Sequence, residues 1–235
     1  MSVEEKALLI RNYDLWAHIS DEEYEQLNVA HNFIEAKKGE YVYFEAFNYR
    51  KLFFIKEGYI RLGYIDDDGN EVIKDIIRKG DIFGQFTLER NNLNGEFAQA
   101  YKADVSLCAF TIEDFQKLLE KKPAIALKYS KQVGSKLQHI QNRLVDLLNK
   151  DVRTRLLNFL WQLVQFYSKE INLQASPVCI PNHLTHEDIA HLIGSSRQTV
   201  TTMINELSQE GILTYSRNEI CFTDVNKIQK PGTVI

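Results

Sequence analysis

Arg197, Gln198, Thr201, Thr202 and Asn205 lie within nine residues, in the run RQTVTTMIN. On a helix they share one exposed side, because Val200, Ile204 and Leu207 step by i, i+4 and i+7 along the other. Their chemistry is that of reading base edges. Arginine donates two bonds to guanine O6 and N7, glutamine pairs bidentately with adenine, and a threonine methyl packs on thymine. Ser196, Thr199 and Thr185 stand where hydroxyls and helix N-termini can hold phosphates. Arg217 adds a cation between two short apolar runs downstream.

The elements that must position these groups are legible around them. Thr185 caps a helix of about eight residues, with Asp188 in the capping-box position. Ile189, Ala190, Leu192 and Ile193 supply its buried side. Gly194 ends it, where the left-handed conformation costs glycine little. Ser195 or Ser196 then caps the second helix. Two helices joined by a tight turn, with the small Ala190 at their approach, follow helix-turn-helix grammar. After Gly211, ILTYSRNEICFT reads as two strands around Ser216-Arg217-Asn218, a wing with Arg217 at its tip.

Upstream the texture changes twice. Residues 4–30 read as short helices, one opened by Ser20 and Glu23. From Phe33 to about Ile112, short β-branched and aromatic runs, among them KLFFIKE, YIRLGYI, FAQAYKA and VSLCAF, alternate with turn residues such as Glu57-Gly58 and Asp68-Gly69-Asn70. About seven strands at this spacing imply an antiparallel sandwich or barrel, with YIRLGYI bracketed by hairpins. From Glu113 helical periodicity returns. A short helix precedes Pro123 and a long one starts near Ala124. In the long helix Val133, Leu137, Ile140, Leu144 and Leu147 step by 4, 3, 4 and 3, a heptad seam. That stripe would pair with a second copy or pack on its own barrel. Asp151 caps a further amphipathic helix, VRTRLLNFLWQLVQFYS, and a looser segment with Pro177 and Pro181 follows.

Composition bounds the class. The 235 residues are 44% hydrophobic and 26% charged, enough for a packed core. Net charge is −4, but residues 1–112 carry −7 and residues 113–235 carry +3, so the second half can approach phosphates. No long apolar run suggests a membrane span, and the acidic N-terminus does not resemble a secretory signal. Cys108, Cys179 and Cys221, odd in number and far apart, suit unpaired thiols in a reducing cytoplasm. His183, His186 and His191 cluster, but His186 and His191 are five apart and share no helix face, so no metal centre is expected. No Ser-His-Asp context, H-E-x-x-H, G-x-x-x-x-G-K or C-x-x-C is present, and no enzyme is expected.

LTHEDIAHLIGSSRQTV, the barrel-like run KGEYVYFEAFNYRKLFFIKEGYIRLGYIDDDGNEVIKDIIRKGDIFGQ and NKDVRTRLLNFL together resemble the CRP/FNR family of bacterial transcription factors, over roughly residues 15–230. The implied fold class is α+β. It has a cyclic-nucleotide-binding-type antiparallel β-barrel (jelly roll) with N-terminal helices over 1–112, a dimerisation helix over 113–149 and a winged helix-turn-helix over 150–235. The resemblance implies a homodimer through Val133, Leu137, Ile140, Leu144 and Leu147. Its partners would be a palindromic DNA operator, RNA polymerase and a small-molecule effector of unknown identity. Arg197, Gln198 and Thr202 fall where the family reads bases. Gln198 replaces a commoner Glu and Thr202 stands where many members use Arg, so the half-site should differ from that of cAMP-responsive members.

The effector side departs from the pattern. Cyclic-AMP-binding members hold the ribose with a Glu and the cyclic phosphate with an Arg-Ser pair. Aligned from both ends, Gln85 takes the Glu position here, and Glu96 and Phe97 take the Arg and Ser positions. Glu96 would repel a phosphate, Arg90 is at most a displaced cation, and Ile140 and Gln141 replace adenine-contacting Thr and Ser. An apolar effector lined by Phe86, Phe97 and Tyr101 stays open. The family's oxygen sensors need four cysteines for an iron–sulfur cluster, which this chain lacks, and His139 is expected to face solvent or barrel rather than a haem, so no cofactor is expected. A ligand-independent regulator and a non-DNA-binding sensor or adaptor remain alternatives.

Overall fold

The computed structural model describes residues 31–44, 51–84, 86, 96–168 and 171–228. The helices expected over 4–30, and Gln85 and Arg90, lie outside the described residues. The chain divides into two compact units, Met1–Gln138 and His139–Ile235.

The first unit is built on two long strands. β1 is His31–Ala36, β2 Tyr41–Tyr43, β3 Lys51–Ile65, β4 Glu71–Arg78, β5 Ile82–Gly84 and β6 Glu96–Thr111. All pairings among them are antiparallel. The order is β1-β6-β3-β4, with β2 added on β6 and β5 on β3. The first half of β3 pairs with β5 and with the last residues of β6, which also pair with β1. The second half of β3 pairs with β4 and with the start of β6, which also pairs with β2. Each long strand therefore serves two layers and turns a corner between them.

KLFFIKE and YIRLGYI are one strand, not two strands joined by a turn at Gly58, and FAQAYKA and VSLCAF are likewise both β6. Gly58, at φ 87°, sits in a bulge where the β3–β6 register shifts, and a Cβ there would lie 2.6 Å from the Asp104 carbonyl. Opposite it, Lys102 takes φ 65°. The positive φ bends the ladder without ending it.

Alternation sorts the side chains. Phe53, Ile55, Phe83, Leu107 and Ala109 from one layer meet Ile60, Leu62, Ile77, Ala98 and Ala100 from the other in a buried core. On the outer face of the first layer, Leu52, Phe54, Cys108 and Phe110 pack under two helices. These are α1, Ile112–Lys121, capped by Thr111, and α2, Pro123–Asn149, with proline at its first position. Burial on both faces explains the unbroken apolar runs LFFI and LCAF.

The second unit holds the end of α2, then α3 (Val152–Tyr167), β7 (Val178–Pro181), α4 (His186–Ile193), α5 (Arg197–Gln209), β8 (Leu213–Tyr215) and β9 (Glu219–Phe222). β7, β9 and β8 form one antiparallel sheet in that order. The segment around Pro177 and Pro181, expected to be loose, is the edge strand β7. Its Val178 and Ile180, with Ile220, Phe222 and Leu213, are buried. Prolines are compatible with a strand only at such an edge. Cys179 and Cys221 face each other across β7 and β9 and are joined in a disulfide. The reading of all three cysteines as unpaired is therefore wrong for two of them, and Cys108 alone is free.

Candidate nucleic-acid interface

The α4–turn–α5 unit is built by local capping. The Thr185 hydroxyl accepts from the Asp188 amide, and the Asp188 carboxylate accepts from the Thr185 amide at 2.7 Å. Gly194 ends α4 in the left-handed region at φ 65°. Ser196 caps α5, accepting from the Thr199 amide at 3.1 Å. Val200, Ile204 and Leu207 are buried, which leaves the opposite side of α5 to solvent.

On that side Arg197, Gln198, Thr202 and Asn205 are exposed. Arg197 lies 4.0 Å from the exposed Glu187, a surface pair worth about 0–1 kcal/mol and readily given up. The hydroxyls behave differently. Those of Thr185, Ser196 and Thr199 are engaged in caps. The Thr201 hydroxyl donates to the Arg197 carbonyl at 2.9 Å, leaving Nδ1–H of His186, 2.8 Å away, as the donor to Thr201. Burial, and then the nearby Arg197 charge, hold the His186 imidazole below the usual histidine range. The ring is 4.8 Å from that of Tyr215 on β8. The polar side chains of this row that are not committed to caps or to backbone carbonyls are thus Arg197, Gln198, Thr202 and Asn205.

The wing tip carries Arg217, exposed between β8 and β9. Asn182, just after β7, holds that tip. Its amide donates to the Asn218 carbonyl at 2.8 Å and its side chain to the Ser216 carbonyl at 2.7 Å. The Tyr215 hydroxyl donates to the Leu184 carbonyl at 2.9 Å. The wing and the start of α4 are thereby tied together.

Sequence reading missed the residues that fix the turn from behind. Arg155 on α3 donates to the carbonyls of Ile193 (2.8 Å), Gly194 (2.9 Å) and Lys150 (2.9 Å). Arg143 on α2 donates to the His191 carbonyl at 3.3 Å. A Cβ on Gly194 would meet Leu147 at 2.5 Å. Asn158 donates to the buried Asp146 at 2.8 Å. These partners are far apart in the chain, and only the basic character of VRTR hinted at them. Removing a charged donor from three carbonyls should cost about 2 kcal/mol. Arg155→Ala is expected to lower the urea midpoint of the chain, and an unchanged midpoint would show the carbonyls satisfied without it.

The expected dimer residues divide. Val133 packs against the outer barrel cluster and Leu147 against Gly194. Leu137, Ile140 and Leu144 are 55–56% exposed, and Leu148, which the heptad reading passed over, is 73% exposed.

Of the residues suggested for an effector, Phe86, Glu96 and Phe97 have different surroundings within the first unit. Phe86 lies on the outer cluster, its carbonyl accepting from Tyr129. Phe97 is fully buried beside Tyr41 and Phe44, on the face of β6 opposite Ala98 and Ala100. Glu96 is buried, accepts from the Tyr43 hydroxyl at 2.7 Å and pairs with Lys74. Burial beside that carboxylate pushes the Tyr43 phenol upward, so it stays a donor. Ile140 is exposed on α2.

The family model of the cyclic nucleotide-binding domain matches residues 33–122, and that of the Crp-like helix-turn-helix domain matches residues 154–230. The chain is 24% identical over 185 residues to the global nitrogen regulator of Nostoc sp., covering 78% of this chain and 79% of that protein. It is 25% identical over 195 residues to the anaerobic regulatory protein of Bacillus subtilis, covering 83% and 81%. Among solved structures, a mutant of CooA from Carboxydothermus hydrogenoformans matches with a TM-score of 0.72 and 26% identity, over 89% of this chain and 90% of that one.

Proposed function

Since this chain belongs to the CRP/FNR family of transcription regulators, with a helix-turn-helix and an effector-binding domain, we propose that it acts as a homodimer whose two α5 helices read a palindromic operator. The observation that carries this is the exposed row Arg197, Gln198, Thr202 and Asn205 on a helix whose opposite side is buried. The exposed apolar face of α2, with Leu137, Ile140, Leu144 and Leu148, supplies the pairing surface. Two copies then set the α5 helices about 34 Å apart, one turn of duplex. RNA polymerase is the partner expected at promoters. Among the described residues no helix is long and apolar enough to cross a membrane.

Control runs through the end of α2. Arg143 and Leu147 grip the α4–α5 turn, so a change in how two α2 helices pair is delivered to the reading helix by direct contact. A signal acts by shifting the population of DNA-competent dimers.

Genomic duplex selection with the full chain tests this reading. Enrichment of palindromes with half-sites one turn apart is expected, and failure to enrich any duplex would refute it.

The barrel is not built for cAMP. A cyclic phosphate needs a cation and donors, whereas Glu96 presents a buried carboxylate already satisfied by Tyr43 and Lys74. Titration calorimetry with cAMP is expected to give no saturable heat, and micromolar binding would overturn this assignment.

A further inference from the structure

The disulfide between Cys179 and Cys221 has no part in the DNA-reading function proposed above. It lies on the outward face of the wing sheet, with Cys179 and Glu219 exposed and Cys221 half-buried. The inward face is already closed by Val178, Ile180, Leu213, Ile220 and Phe222, each at most 2% exposed. The sheet therefore has an apolar core that does not depend on the cross-link. What the cross-link adds is a fixed register between edge strand β7 and wing strand β9. β7 runs straight into Asn182, whose amide and side chain hold the wing tip on either side of Arg217. The third cysteine is set apart. Cys108 is buried in the barrel, and burial pushes its thiol up to about 12.

We propose that Cys179 and Cys221 form a reversible thiol–disulfide exchange site, accepting low-molecular-weight disulfides as oxidant, that sets the order of the wing and so the affinity for DNA. The effect on affinity rests on the DNA-reading function proposed above.

The chemistry is a two-step exchange. The Cys179 thiolate, on the exposed edge strand, attacks one sulfur of an oxidant RSSR and expels RS⁻. The Cys221 thiolate then attacks Sγ of Cys179 and expels the second RS⁻. Two protein thiols lose two protons and two electrons, one protein disulfide forms, and RSSR becomes two RSH. A solvent-facing disulfide is the kind that cellular thiols reach and reverse. In the oxidised form β7 cannot slide against β9, so the Asn182 clamp holds Arg217 in place before DNA arrives, and less ordering is left to be done on binding.

The test uses the full chain equilibrated across ratios of reduced and oxidised glutathione. Alkylation with mass spectrometry reads the thiols, hydrogen exchange reads residues 214–220, and titration with a selected duplex reads affinity. Cys179 and Cys221 should oxidise together while Cys108 stays unreacted. Oxidation should slow exchange at the wing and tighten duplex binding by about threefold to tenfold. The Cys179→Ser/Cys221→Ser variant should keep the reduced-form values in every buffer. Both thiols remaining alkylatable at all ratios would overturn the proposal, as would wing exchange and affinity that ignore the redox state. An oxygen of Glu219 and the two sulfurs all lie within 4.8 Å of one another, a set that a thiophilic cation could use. Protection from alkylation by zinc ions alone, with no disulfide at any ratio, would replace this proposal with a metal site. Should no duplex bind in either state, the DNA-reading function fails, and wing exchange still decides whether the pair orders the wing.

Discussion

Leu144→Glu is expected to convert the proposed dimer into single subunits and to weaken binding to a palindromic duplex by about a hundredfold or more. Leu144 is 55% exposed in one chain, in a row with Leu137, Ile140 and Leu148. Covering each half-exposed side chain against a second helix contributes about 1 kcal/mol. In the proposed dimer a carboxylate placed there would face its own copy across the two-fold axis, so the change would both remove apolar contact and add like-charge repulsion. The loss on DNA follows from geometry, since two half-sites bound by separate subunits forfeit the effective concentration that a linked pair enjoys. Light scattering reads the mass and fluorescence anisotropy reads the affinity. A variant that stays dimeric would place the pairing surface elsewhere.

Arg197→Ala should weaken binding to the selected operator by about 1–3 kcal/mol while leaving the mass and melting curve unchanged. The Arg197 side chain is 72% exposed and its ion pair with Glu187 is long. The fold therefore loses little with it. Arg197→Lys separates two roles. Lysine keeps the charge but not the two-pronged donor, so it should restore affinity for any duplex better than discrimination between operator and scrambled sequence. Equal affinity of the parent and Arg197→Ala for the operator would remove Arg197 from base reading.

The reading unit was legible almost residue by residue because its signals are local. A capping box, a glycine in the left-handed region and an i, i+4, i+7 stripe all act within a dozen residues, and Thr185, Gly194, Ser196 and Val200 take their expected places. What failed was what depends on pairing between distant segments. Gly58 carries the same positive φ in a bulge as in a turn, and only the register of β3 against β6 tells the two apart. VCIP becomes a strand because β9 lies beside it, and the disulfide exists because that same register sets Cys179 opposite Cys221. The heptad arithmetic pointed to Leu147, which is 38% exposed and also approaches Gly194, and it passed over Leu148, which is 73% exposed. The helices of the candidate interface were thus readable from the sequence, but their supports, Arg155, Arg143 and Asn182, were not.

The corners in β3 and β6 bear on how the barrel comes apart. Because the same two stretches of backbone run through both layers, peeling one layer open drags residues out of the other and exposes the shared interior. Neither half is therefore expected to open alone, and the shared core should lose its structure in one cooperative event.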